Sequence, residues 1–241
     1  MNFPQLKKVP ISIHPNTIAE AVAELRFDSD MPSEVILGII FNKFKDRFPN
    51  FNKLPILELP SFVRENDPNL KFSPQYRMEN SDFIFQIGPK CFSLTCSKKY
   101  VGWEKYSAEI IWVFEQIRKL EIIKTPLRLG LRYINFFENL NIFEQIQMEL
   151  CLAQNPLVNN LNILRSEFIS DEFRCIYQIS NSTSFDEKNG SSLDIDVICE
   201  NQNELMSNFE KIISSAHNKE KTLFFGILNE DFLLSLNPVY D

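Results

Sequence analysis

Arg128 and Arg132 lie in a central run, Leu-Arg-Leu-Gly-Leu-Arg-Tyr-Ile-Asn-Phe-Phe over residues 127–137, in which cationic and apolar positions alternate. As a strand it turns Leu129, Leu131 and Tyr133 one way and both guanidiniums the other. Guanidiniums presented together suit a carboxylate or a phosphate, because each planar fork donates in pairs. A second run, residues 18–27, sets Glu20, Glu24 and Arg26 against Ala19, Ala21, Ala23, Leu25 and Phe27. If the two strands pair, acidic and basic groups share one face. That face reads either as a solvated, ion-paired surface or as a concave surface gripping a ligand or a peptide.

The remaining chemistry-bearing residues are scattered. Asp194 and Asp196 share a strand face and, with Glu200, are the weak candidates for a hard cation such as Mg²⁺; the same spacing also describes the wet side of a sheet. Glu20 and Glu24 could form an acid/base pair, although no pocket is visible in the sequence. His14 and His217 are the only histidines, and neither has a nucleophile or further metal ligands nearby. In Tyr100-Val101-Gly102-Trp103, the indole of Trp103 either pins a helix start to the core or offers an aromatic contact to a partner. No GxSxG, HExxH, P-loop or dinucleotide fingerprint occurs, and no cofactor is expected.

Composition narrows the classes further. Phe occurs 22 times and Gly 6 times, so large flat side chains can fill a layer between sheet and helices while glycine-cradled phosphates are disfavoured. A net charge of −7 argues against general attraction to nucleic acid or anionic lipid. There is no apolar run of membrane-spanning length and no signal-peptide core in residues 1–10, so a cytoplasmic location is expected. Cys91, Cys96, Cys151, Cys175 and Cys199 lack CxxC spacing and read as reduced, mostly buried thiols.

The elements that must position these groups alternate between strands and helices. After a Pro-bounded leader comes the strand at 18–27, then a helix through Val35, Ile36, Ile39, Ile40, Phe44 and Phe48, with Asp28-Ser29-Asp30 offering cap chemistry and Pro32 suiting its first turn. Strands are expected at 57–59, 72–78, 83–87 and 91–96, a loop at 64–69, and reversals at 80–82 and 88–90. Trp103, Tyr106, Ile110, Val113, Phe114, Ile117 and Leu120 form a helical stripe. The second half reads as the 127–137 strand, a shorter helix at 139–150, a loop at 155–162, and strands at 173–179 and 193–199 joined by a mobile polar segment at 181–191. A helix follows from Leu205 through Ala216, continued by residues 223–227, and a last short helix starts near Asn229.

Strand, helix, meander and helix thus occur twice, with Leu25-Arg26-Phe27 echoed by Leu131-Arg132-Tyr133. The fold expected is α+β: one unit over 1–241 with a twisted, mostly antiparallel sheet, helices on one face, and pseudo-repeats at 17–122 and 125–228 from an internal duplication. This topology resembles the saddle of the TATA-binding protein. The motifs Glu24-Leu25-Arg26-Phe27, Tyr100-Val101-Gly102-Trp103-Glu104-Lys105-Tyr106 and Arg128-Leu129-Gly130-Leu131-Arg132-Tyr133-Ile134-Asn135, taken together, resemble a sporadically distributed bacterial family of about this length, defined only as a family of unknown function. Its patchy distribution implies horizontal spread, compatible with phage defence or another mobile-element conflict.

The functional expectation is a non-enzymatic binding or accessory protein that engages a protein partner through a sheet face or edge, with Glu20, Glu24, Arg26, Arg128, Arg132 and Trp103 as its contact residues. Two alternatives stand beside it. One is a small-molecule or nucleotide-ligand sensor using Arg128 and Arg132, and the other a metal-dependent hydrolase or nuclease using Glu20, Glu24, Asp194 and Asp196. Nucleic acid and membrane are not expected partners, and homo-oligomerisation is left open.

Overall fold

A computed structural model describes residues 8–68, 70–158 and 161–240, the side chain of Glu65 excepted. The first seven residues of the leader, residue 69 of the expected 64–69 loop and residues 159–160 of the expected 155–162 loop lie outside the described residues. The fold is α+β, with antiparallel sheet and helices, and the chain divides into two compact units.

The first unit comprises Ala21–Leu131 with Ile198–Ser214. Strand β1 (Ile18–Asp28) buries Ala21, Ala23, Leu25 and Phe27, as its alternation requires. Helix α1 (Ser33–Phe44) starts directly behind Pro32, which occupies the cap position and supplies no side-chain cap. The Asp28-Ser29-Asp30 segment does other work: Ser29 Oγ accepts from the Met31 amide, while Asp28 and Asp30 pair with Lys90 and Lys124 at 2.6 and 2.9 Å. Strand β2 (Asn50–Lys53) is exposed at every position and so leaves no alternating pattern to read. The expected strand at 57–59 falls instead on a 3-10 turn, Pro55–Glu58, because Pro55 starts a helical turn more readily than a ladder. A short helix α2 (Ser61–Asn66), entered through Pro60, replaces the first part of the loop expected at 64–69. Pro74 cannot donate to a ladder, and β3 (Tyr76–Glu79) begins only after it. Strands β4 (Phe83–Ile87) and β5 (Cys91–Cys96) and helix α3 (Trp103–Arg118) follow the sequence reading.

With strand β6 (Thr125–Glu138), the order in this unit is β2-β3-β4-β5-β1-β6. The registers Met78↔Phe85, Phe85↔Leu94 and Leu94↔Ala23 align a fully buried row across four antiparallel strands. Phe44 of α1 meets Phe85 at 4.9 Å and Trp112 of α3 edge-on at 5.8 Å, so the phenylalanines do fill the layer between helices and sheet. The Tyr106 hydroxyl donates towards the Ala21 and Leu94 carbonyls at 3.0 and 2.7 Å, tying α3 to two adjacent strands.

The second unit holds the remaining described residues. A helix over 139–150 does not form. Asn139 is left-handed at φ 51°, and Asn141 caps only a 3-10 turn, Ile142–Glu144. Strands β7 (Cys151–Leu152) and β8 (Asn155–Pro156) make a small hairpin whose second strand opens the 155–162 stretch read as loop. Strand β9 (Ile163–Ser170) was not expected, and β10 (Phe173–Phe185) and β11 (Lys188–Cys199) extend well beyond 173–179 and 193–199. The segment at 181–191 is therefore strand and turn. Its reversal falls at Asp186 and Glu187, both at positive φ, the backbone a two-residue hairpin needs. Gly190 is required where β11 meets β6, since a Cβ there would sit 2.1 Å from the Phe137 carbonyl oxygen. The strand order here is β6-β11-β10-β9.

Helix α4 (Phe209–Ile227) starts later than Leu205, which is buried in the turns before it, and runs through residues 223–227 as expected. Helix α5 (Glu230–Ser235) is capped by Asn229, whose side chain accepts from the Phe232 amide at 2.8 Å. The second half of the chain thus has a 3-10 turn where the first has α1, and the two do not match element for element.

Candidate functional site

The charged positions of β1 and β6 lie, as alternation demands, opposite the buried ones, and they are answered by groups of the chain itself. In the first unit Glu24 Oε1 accepts from Arg26 at 2.7 Å and lies 3.3 Å from an Arg128 guanidinium nitrogen, so one carboxylate bridges two cations. The Arg26 guanidinium also sits 5.0 Å from the centre of the Phe72 ring. Chain from the Phe72 segment passes close over this side of β5: a Cβ at Gly88 would meet Cys91 Sγ at 2.7 Å and the Ser73 carbonyl at 2.8 Å. Cys91, Ser93 and Thr95, which lie on the side of β5 opposite Phe92 and Leu94, are buried, and the Arg128 side chain is only 13% exposed. Around these residues the face is lined and partly roofed by the protein's own groups.

In the second unit Arg132 grips Asp194 with both arms of its fork, at 2.8 and 2.5 Å. This bond to Asp194, with further charge from Asp196 and Glu20, raises the guanidinium pKa above its ordinary value against the opposing effect of burial. Asp194 is thereby committed to an arginine, and among the described residues no group of three or more His, Cys, Asp or Glu is placed to hold a metal ion. Asn135, two per cent exposed, accepts from the Thr17 hydroxyl at 2.8 Å. Tyr133 is buried beside His217, whose Nδ1 is 3.3 Å from the phenol oxygen. Each polar side chain of the 128–135 motif thus has a partner within its own unit, although the buried Nε of the ion-paired Arg128 makes no hydrogen bond among the described residues. Glu20 is exposed, and Trp103, the first residue of α3, is half-buried.

The five cysteines are thiols, and Cys151 is exposed rather than buried. Burial pushes the thiol pKa of Cys91 upward, and that of Cys175 to about 11, so neither is a ready nucleophile.

A different region is left open. Strand β9 ends the sheet order, pairs through eight residues with β10 and, among the described residues, has no strand on its other edge. On its solvent face Ile163 and Ile169 are 78% and 66% exposed, and Leu161 just before it is 83% exposed. Between the isoleucines Glu167 holds Arg165 and Arg174 at 2.9 and 3.0 Å, and those bonds, Arg174 first, lower the carboxyl pKa. The strand contains no Pro or Lys, the residues that most often guard an edge. Sequence reasoning missed it because apolar side chains stand on both faces, Ile163 and Ile169 on one and Leu164 and Phe168 on the other. The left-handed turn residue Asp171, between β9 and β10, was the available signal.

The geometry defines an α+β protein with a largely ion-paired sheet face and a sheet edge at β9 that carries exposed isoleucines. Searches of family models and of curated proteins find no match to this chain.

Proposed function

We propose that the chain is a non-enzymatic binding protein that takes an extended segment of a protein partner onto the β9 edge. The observation that carries this reading is that edge: eight residues long, with Ile163 and Ile169 exposed at the two ends of its solvent face and neither Pro nor Lys along it. Each outward-facing amide and carbonyl of an edge strand can bond an added strand, and the exposed isoleucines supply apolar contact at either end, flanking the charged Arg165 and Glu167. The opposite edge strand of the order, β2, offers only four residues. The charged residues Glu24, Arg26, Arg128 and Arg132 act in this reading as braces of the sheet, because their partners already lie within the chain.

The test is co-purification of the full chain from its native host, followed by hydrogen exchange on the complex. The Ile163→Lys/Ile169→Lys variant, still folded by circular dichroism, should lose the partner that wild type and Arg128→Ala retain. Amides of β9 should exchange more slowly in the complex. Retention of the partner by the β9 variant overturns the proposal. So does a wild-type homodimer, seen by light scattering, that the β9 substitutions dissolve.

A further inference from the structure

A cavity of about 470 Å³ opens in the first unit between the start of α1, the 55–66 segment and the β4–β5 turn. Its volume falls within the range of small-molecule sites. Leu37, Leu57 and Ile87 give it an apolar wall, and Arg64, Lys71 and Lys90 line it with positive charge, against Glu34 as the acidic lining residue. Such clustering runs against the balance of a chain with net charge −7. Like charges sharing a concave, partly desolvated site repel one another, and an anion there relieves the repulsion.

The neighbouring carboxylate does so only in part. Asp28 is bonded to Lys90 at 2.6 Å, and its carboxyl is held below the ordinary value by that bond and further by Lys71 and Lys124, so one acid already faces three lysines. Lys71 makes no ion pair among the described residues; its ammonium lies 5.2 Å from the centre of the Phe72 ring. Arg64 donates Nε to the Leu59 carbonyl, which anchors the side chain and leaves its terminal nitrogens as further donors. Ser33, the first residue of α1, also lines the cavity, and that helix end has no side-chain cap.

We propose that this cavity binds a small phosphate monoester, its organic part against Leu37, Leu57 and Ile87 and its phosphate against Arg64, Lys71 and Lys90. A dianion answers three cations lining one cavity, of which only Lys90 is ion-paired among the described residues, better than a carboxylate does, and planar and point-charge donors together are the usual phosphate company. The site differs from the β9 edge in residues and in ligand class.

Calorimetric titration of the full chain with phenyl phosphate tests it, with inorganic phosphate and octanoate as separate arms. Phenyl phosphate should bind more tightly than either. Lys71→Glu and Arg64→Glu should each weaken it about tenfold or more, as loss of a charge-assisted contact implies. The Ile163→Lys/Ile169→Lys variant should bind it as wild type does, which separates this site from the proposed edge. Absence of phenyl phosphate binding overturns the proposal, as does unchanged affinity in Lys71→Glu, an exposed substitution that the fold tolerates. Inorganic phosphate binding equally well removes the apolar subsite, and octanoate binding better removes the phosphate assignment.

Discussion

Helices α3 and α4 each bury a glutamate on the stripe that faces their own unit, and they neutralise it in opposite ways. Glu109 of α3 is 5% exposed and is held by both arms of Arg47, whose guanidinium stacks 4.4 Å from the Trp112 ring centre. Glu220 of α4 is equally buried, and desolvation lifts its pKa to about 8 against the opposing charge of Lys221. One carboxylate keeps its charge by acquiring a counter-ion, the other sheds its charge by keeping a proton. The same burial therefore makes one unit dependent on an arginine and the other dependent on pH.

Removing the arginine should have the largest effect. In Arg47→Ala the Glu109 carboxylate is left buried without its counter-ion, at a cost of about 3 kcal/mol, the lower end for a broken buried pair because the Arg47 side chain is itself 46% exposed. Glu109→Leu in that background should recover most of the loss, since the unpaired charge is then gone. Urea unfolding of the three chains measures both. Equal stability of Arg47→Ala and wild type would show that Glu109, too, is buried as an acid, and the contrast between the helices would vanish.

Acidity should expose the other half of the contrast, with an effect of about 2 kcal/mol by pH 8 after allowing for relaxation around the buried group. A carboxyl whose folded pKa lies at about 8 against an ordinary 4.5 binds its proton more tightly folded than unfolded, so its stabilising contribution is complete below 4.5 and is lost as pH rises to about 8. His217, one turn earlier, works in the opposite direction. Desolvation first, and then Lys221, depress its pKa to about 3 from 6.5, so its burial becomes less costly as pH rises between those values. The slopes oppose one another from 4.5 to 6.5. Stability should rise from pH 3 to 4.5, level off, and fall from 6.5 to 8. Glu220→Gln should abolish the fall and continue to rise to 6.5, as thermal melts across this range would show. Parallel profiles for the two chains would mean that Glu220 titrates as an ordinary surface acid.

Neither buried acid was singled out in the sequence, although the position of each is anomalous. Glu109 lies three residues after Tyr106 and Glu220 four after Ala216, each within the apolar stripe of its helix, and a charge at such a position signals either a partner or a proton. Which of the two applies depends on Arg47, sixty-two residues from Glu109, and no local pattern carries that information. Where one face is buried and the other only half-buried, as in β1 and β4, period-two alternation placed the strands within a residue, and β5, buried on both faces, was bounded by the reversal before it. It failed for β2, exposed on both sides, and for β9, apolar on both. The charged candidates Glu24, Arg26, Arg128 and Arg132 were correctly placed opposite the core face, but their mutual pairing and the cover provided near Phe72 depend on contacts between distant segments.

The smallest effects should come from the tyrosines that tie each helix to its sheet. Tyr106 of α3 donates towards two strand carbonyls, whereas Tyr177 of β10 donates to the Leu223 carbonyl of α4 at 2.8 Å. Loss of either hydroxyl should cost about 1 kcal/mol, since a net hydrogen bond contributes little more than that and a buried carbonyl is left less well satisfied. The two differ in their surroundings. Burial raises the Tyr177 pKa and the nearby Glu220 carboxylate raises it further, so the Tyr177→Phe cost should vary with pH as Glu220 ionises near pH 8, while the Tyr106→Phe cost should not. Chemical denaturation of both variants at pH 6 and pH 9 reads this directly. A Tyr106→Phe cost that changes with pH would place a titrating group in the first unit, where a counter-ion, and not a proton, is held to neutralise the buried acid.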